Sequence, residues 1–224
     1  MAEHLDIFDL SGRRIDTRDR KEYYKDLKKE WEETGQITTQ VKTVRIWAMR
    51  ENGDHILQKR SRSKKENSGL YDKFIGGHIP ANSLSKLTLI NESMQEFSVP
   101  AFSLSKEEMY ATLLDDSNAK MLLEKIALVR EVDYENQFKS VRVYKDDQGN
   151  IHKMVQPLMN TLYVGYYNGD TRVGQDGETG GIQVMSNEEL LEELQIHPDL
   201  FTSDVHYIVN KYHKELVSIQ YFLQ

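Results

Sequence analysis

The sequence predicts an α+β domain: a mixed β-sheet sandwiched between helices. Three observations carry this. Segments with two-residue alternation are bounded by Gly, Asn and Asp. Segments with helical spacing start at Ser or Asp and stop at Gly or Pro. The two kinds are interspersed along 224 residues without repeats, low-complexity stretches or a linker, so residues 1–224 read as one unit around one core.

"LDIFDLSGRRI" reads as a hairpin turning at Ser11-Gly12, and "TRDRKEYYKDLKKEWEETGQ" as a helix closed by Gly35, so 1–35 is an N-terminal hairpin and helix. "TQVKTVRIWAM" alternates, with Val44, Ile46 and Ala48 on one face and Thr43, Arg45 and Trp47 on the other. "ENGD" turns the chain into a second strand, "HILQKRS". "KKENSGLYDKF" reads as a loop and "IGGHIP" as a tight glycine turn. A helix follows from Leu84 to Phe97, with Leu87, Ile90, Met94 and Phe97 on one stripe and Pro100 preventing continuation. Residues 103–125 read as a helical insertion of one or two helices, with Ser105 and Glu108 as a capping box. The next forty residues are strand-rich and turn at "DDQGN". "NGDTRVGQDGETGG" is loop-like and "IQVM" a short strand. C-terminal helices occupy 186–224, one capped by Ser186 with Glu189, the last carrying Val205, Ile208 and Tyr212.

Composition excludes several functions. The chain has 29 basic and 36 acidic residues, net −7, which argues against a nucleic-acid polymer as partner. It has no cysteine, so disulfides, thiolate catalysis and zinc–thiolate sites are ruled out. The N-terminal residues lack the apolar centre of a signal peptide, and no run approaches the roughly 18 apolar residues of a membrane span. A cytoplasmic protein with no membrane partner is expected.

The chemistry concentrates in "GGHIPANSLSKLTLINESMQEFSVP", Gly76 to Pro100. Glu92 and Glu96 are four apart, so a helix places both on one side. Two carboxylates at that spacing also occur on any solvated helix face. The register of the surrounding segments bears on the choice and leaves both readings open. Together with "HLDIFDLSGRRI", "VRIWAMRENGDHILQKRSRSKK", "GLYDKFIGGHI" and "GIQVMSNEELLEELQIHPDLFTSDVHYIV", the order of segments resembles the Nudix hydrolase superfamily, in particular the branch of the type I isopentenyl-diphosphate isomerase and its hydrolase relatives. The resemblance spans nearly the whole chain and implies the α+β Nudix fold.

The family's signature is a glycine, five residues, Glu, seven residues, then Arg-Glu-x-x-Glu-Glu-x-Gly. Laid on this chain from Gly77, it meets Ser83, Asn91, Glu92, Gln95, Glu96 and Ser98. Gly77, Glu92 and Glu96 match; the others depart, so the box is degenerate. The resemblance implies Mg2+ or Mn2+ held by Glu96, Glu92, Gln95 and the Gly77 carbonyl, with Glu92 as the base or water-orienting residue. Gln95 offers an oxygen without a charge, which weakens a hard-cation site. The isomerase mechanism needs a cysteine where Gly76 stands and histidines before "VRIWAM" that are absent, so isomerase activity is not expected.

Around the box, Arg60 leads a basic run (Lys59, Arg60, Arg62, Lys64, Lys65) that reads as a phosphate-attracting rim or as a solvated strand end. Tyr71 could line the pocket, while Trp47 reads as core. His78 is a substrate contact or a hydrogen-bonded structural residue, and Glu178 an extra loop acid or an ordinary loop residue. The expected function is cleavage of a diphosphate linkage in a small phosphorylated metabolite, such as a nucleoside diphosphate derivative. The alternative is a Nudix-fold ligand-binding or regulatory protein without hydrolysis. By resemblance, a homodimer is also expected.

Overall fold

The computed structural model of the protein describes residues 3–146, 148–171, 177 and 179–224. Strand β3 (Thr39–Met49) is the hub of its sheet. Along one edge β3 meets three antiparallel partners in succession: β1 (His4–Asp9), β6 (Ile75–His78) and β4 (His55–Arg60). Along the other edge it runs parallel to β9 (Ile151–Tyr166), from Val41 beside Leu158 to Met49 beside Tyr166. The main path is β10 (Thr179–Met185), β4, β3, β9, β8 (Ala127–Lys145) and β7 (Ala101–Leu104). β2 (Arg14–Asp19) pairs with β1, and the two-residue β5 (Tyr71–Asp72) pairs with β4.

Helices cover both faces, so β3 is buried on both sides from Thr43 onward. Val44, Ile46 and Ala48 pack with Leu89 and Phe97 of α2 (Ser85–Phe97), and Phe97 stacks on Phe74 at 4.4 Å between ring centroids. Trp47 and Met49 pack on the opposite face with Leu190 of α5 (Asn187–Ile196) and with Val205 and Ile208 of α6 (Ser203–Tyr212). A third cluster joins Tyr23 and Leu27 of α1 (Arg20–Thr34) to Leu5, Ile7, Phe138 and Leu158. Burying one such large apolar side chain contributes roughly 1.5–3 kcal/mol, which is why the sequence alternation maps onto the layers. Trp47 is fully buried, as expected of a core residue, and its indole donates to His55 Nδ1 at 3.0 Å.

Local chemistry sets most boundaries. The first hairpin turns through Gly12 at φ 87°. The α1 helix ends at Gly35 in the left-handed region, φ 67°, where a missing Cβ removes the steric cost. It starts later than expected, because Thr17–Asp19 still belong to β2 and Asp19 accepts from the amides of Lys21 and Glu22. Both capping boxes form, Ser105 with Glu108 and Ser186 with Glu189. The 103–125 segment holds α3 (Lys106–Leu114) and α4 (Asp116–Leu123), while Ser103 and Leu104 complete β7. Past α6 the chain adds α7 (Ile219–Phe222), which the sequence pattern does not announce. Among the described residues no helix is long and apolar enough to cross a membrane.

Two expectations fail instructively. "IGGHIP" does not turn at its glycines: Ile75–His78 is β6, with Gly77 beside Val44 and Gly76 beside Arg45. Neither glycine has a positive φ. The α2 stripe is also displaced. Leu87 and Met94 are exposed, at 54% and 45%, whereas Leu89, Ser93 and Phe97 are buried. Ser93 lets the helix approach closely, its hydroxyl accepting from the Ala101 amide of β7 at 3.0 Å and donating to the Ile90 carbonyl.

Candidate active site

A cleft of about 1010 Å³ opens where β6, the cleft-side face of α2 and the neighbouring ends of α1, β3, β4 and β8 meet. One side is built by helical spacing. Thr88, Asn91, Glu92, Gln95 and Glu96 all line the cleft, as residues three and four apart on one helix face must. Glu96 is buried and Glu92 half-buried, while Gln95 is exposed. The structure therefore brings together Gly77, Glu92, Gln95 and Glu96.

The two glycines are required by space rather than by conformation. A Cβ on Gly77 would lie 2.2 Å from Glu92 Cδ, so the Glu92 carboxyl rests against the glycine Cα. A Cβ on Gly76 would lie 2.6 Å from Lys73 Cε. β6 thus sheds its side chains where an acid and a base lie against it.

Beneath this lies a chain of buried charges. Arg60 Nη1 is 3.3 Å from Asp72 Oδ2, and Lys73 Nζ is 3.0 Å from Asp72 Oδ1. The same ammonium is 3.0 Å from Asp204 Oδ2, to which Arg45 Nε donates at 2.8 Å. Thr202 donates to Asp72, and Ser140 to Asp204, each at 2.9 Å. Arg45 Nη1 donates to Asn160 Oδ1 at 2.5 Å and to Thr43 Oγ1 at 3.1 Å, and its guanidinium lies over the Phe138 ring. Burial alone would raise the Asp204 carboxyl. The charges of Arg45, Lys73 and Arg142 outweigh it and hold the group well below the usual carboxylate range. Asp72 behaves likewise: burial raises it, Lys73 and Arg60 lower it further, and the net is downward.

His78 lines the cleft, and its Nε2 is 2.5 Å from the Tyr24 hydroxyl, which accepts from Gln156 Nε2 at 2.9 Å. Burial, reinforced by Arg20, Arg142, Arg45 and Lys73, holds the imidazole well below its ordinary value. A neutral ring accepting the Tyr24 proton on Nε2 leaves the Tyr24 oxygen free to accept from Gln156. That arrangement commits Nε2 to Tyr24 rather than to a ligand.

Arg60 lines the cleft too, fixed by Asp72 and by the Glu66 carbonyl, and Lys64 and Lys65 join it there. Tyr71 is not among the lining residues. It packs on Phe201 at 5.4 Å under the Lys59 ammonium. The alternation of β5 explains this, because Asp72 points into the charge chain and its neighbour must point away. Glu178 lies outside the described residues.

Sequence reasoning missed Arg45, Asp72, Lys73, Arg142 and Asp204. The available signal was Arg45, a charge in the middle of an otherwise apolar strand, which needs a buried partner. As for a metal, no three His, Asp or Glu side chains among the described residues converge to hold one alone. Magnesium commonly takes one or two protein carboxylates, with waters and substrate phosphates completing its shell. Glu92, Glu96 and the Gln95 amide fit a magnesium or manganese ion shared with a phosphorylated ligand, and do not fit an all-protein cage.

Neither a family model nor a curated protein matches the sequence. Solved structures do match. DR0079 from Deinococcus radiodurans is 14% identical with a TM-score of 0.60, over 93% of this chain and 98% of that one. The MutT protein from Methanosarcina mazei Go1 is 13% identical with a TM-score of 0.46, over 77% of this chain and 92% of that one. A bifunctional NMN adenylyltransferase/ADP ribose pyrophosphatase from Francisella tularensis, complexed with AMP and a Mn ion, is 11% identical with a TM-score of 0.47, over 88% of this chain and 47% of that one. At such identities the likeness concerns fold alone. The chain shares the fold of DR0079, and its mixed sheet with helices on both faces is the α+β architecture that the sequence predicts.

Proposed function

We propose that the protein is a divalent-metal-dependent hydrolase that cleaves a diphosphate linkage in a small phosphorylated metabolite. The observation that carries this reading is the union, in one cleft, of the acidic face of α2 with the basic residues Arg45, Arg60, Lys73 and Arg142. Phosphoryl transfer is catalysed mainly by positioning and by neutralising charge on the phosphate oxygens. The bases would hold the phosphates, and Glu92 and Glu96, helped by Gln95, would hold Mg2+ or Mn2+. When bound, the ion supplies charge neutralisation at the phosphate oxygens and lowers the pKa of an attached water. Glu92, packed against Gly77, is the group suited to take the proton of the attacking water.

A second reading, a Nudix-fold binding protein without hydrolysis, is favoured by one observation: Gln95 stands in a carboxylate position beside a cleft rich in bases. Incubating the protein with nucleoside diphosphate derivatives and dinucleoside polyphosphates, with magnesium or manganese, separates the two. Appearance of the two phosphorylated halves of a substrate, separated by anion-exchange chromatography, supports the hydrolase. No turnover on any of them, with tight binding of one, supports the binding protein.

A further inference from the structure

The buried charge chain leaves donors unspent, and they converge on one cleft. Lys73 has three ammonium protons, and its protein acceptors among the described residues are Asp72 and Asp204. Arg45 spends Nε on Asp204 and Nη1 on Asn160 and Thr43, contacts that do not use Nη2. Arg142 is the most telling. Its side chain is 18% exposed and its nearest acid, Glu66, is 3.7 Å away. Its guanidinium Nε is buried with no hydrogen-bond partner among the described residues. Buried donors are nearly always satisfied, so the unpartnered Arg142 Nε, beside two further cations lining the same cleft, describes a place for an acceptor-rich anion. Lys73 and Arg45 are fixed neighbours, because both contact the same oxygen, Asp204 Oδ2. His78, on the same cleft, feels the charges of Arg45, Lys73 and Arg142 together.

We propose that Lys73, Arg45 and Arg142 form a phosphoryl subsite that binds its anion directly, without a metal ion. Planar guanidinium forks and a pinned ammonium suit the several oxygens of a phosphate group. The buried acids hold the cations in place before any ligand arrives, so little ordering is needed on binding. This rests on the reading of the cleft as a diphosphate site and adds which part of the ligand is anchored by protein alone. In that arrangement the lost charge at Gln95 weakens metal binding without abolishing ligand binding.

The test is calorimetric titration of the full chain with inorganic pyrophosphate in excess chelator. Saturable one-to-one binding is expected, weakening as salt rises. Arg142→Met should weaken it by about tenfold or more, with Arg142→Lys recovering part of the loss. Arg142 is the variant of choice because Lys73→Met leaves Asp72 and Asp204 short of a counter-charge and endangers folding. Absence of binding in chelator, or binding that Arg142→Met leaves unchanged, overturns the subsite. The hydrolase reading fails separately, through absence of turnover with metal, so a chain that binds pyrophosphate without ever hydrolysing a substrate keeps the subsite and loses the enzyme.

Discussion

Arg45 and Asp204 are paired at 2.8 Å with 3% and 7% of their side chains exposed, and they join the central strand to α6 across 159 residues of sequence. The pair sits where the apolar layers of the sheet give way to the charged floor of the cleft. It links stability and site in one contact.

Removing one partner of such a pair leaves a buried charge without compensation, which costs about 3–5 kcal/mol. Asp204→Asn and Arg45→Met should each show a loss of that size in urea unfolding. The double variant Arg45→Met/Asp204→Leu should lose less than the sum, because neither charge remains. Full additivity would mean that the two do not interact.

Two glycines should respond in opposite ways to alanine. In Gly77→Ala the new methyl would meet the Glu92 side chain, which can rotate away. Stability should stay within about 1 kcal/mol, while metal and substrate handling fall because the carboxyl is displaced. In Gly165→Ala the methyl would lie 1.9 Å from the Leu128 carbonyl oxygen of the neighbouring strand. That clash is with backbone, so the expected result is a loss of several kcal/mol or failure to fold. Thermal melts of the two variants side by side are the check.

Acid should destabilise the protein in two stages. His78 stays neutral in the fold below the 6.5 at which its unfolded form takes a proton. The unfolded chain therefore gains protons first, and stability falls as pH drops through 6.5. His55, lowered mainly by burial, has the same sign. Asp72 and Asp204 titrate below their ordinary value of 3.8. Their contribution is complete above that value and is lost as pH falls beneath it. Urea midpoints from pH 8 to pH 3 should thus decline in two steps, and His78→Gln should shrink the upper one. A midpoint that rises between pH 6.5 and 5 would contradict the assignment.

Much of the fold was legible because its signals are local. The Gly35 stop, the two Ser–Glu capping boxes and the alternation around Trp47 each depend on a few adjacent residues. Gly76-Gly77 misled because a glycine pair reads as a turn, while the reason for it is tertiary: Lys73 and Glu92 occupy the space of the missing side chains. The α2 stripe misled because periodicity gives several faces, and contact with β7 and with the cleft selects among them. Of the site, the α2 acids could be read from spacing. Its cations could not, since Arg45, Lys73 and Arg142 lie on separate segments and only the sheet brings them to one cleft.

The account stands most directly on a manganese titration of the wild-type chain, Glu96→Gln and Gln95→Glu, followed by calorimetry. One equivalent should bind to the wild type, weaken about tenfold or more in Glu96→Gln and tighten in Gln95→Glu, as expected when charge is removed from or added to a hard-cation site. No binding to the wild type, or binding that neither substitution changes, would contradict it.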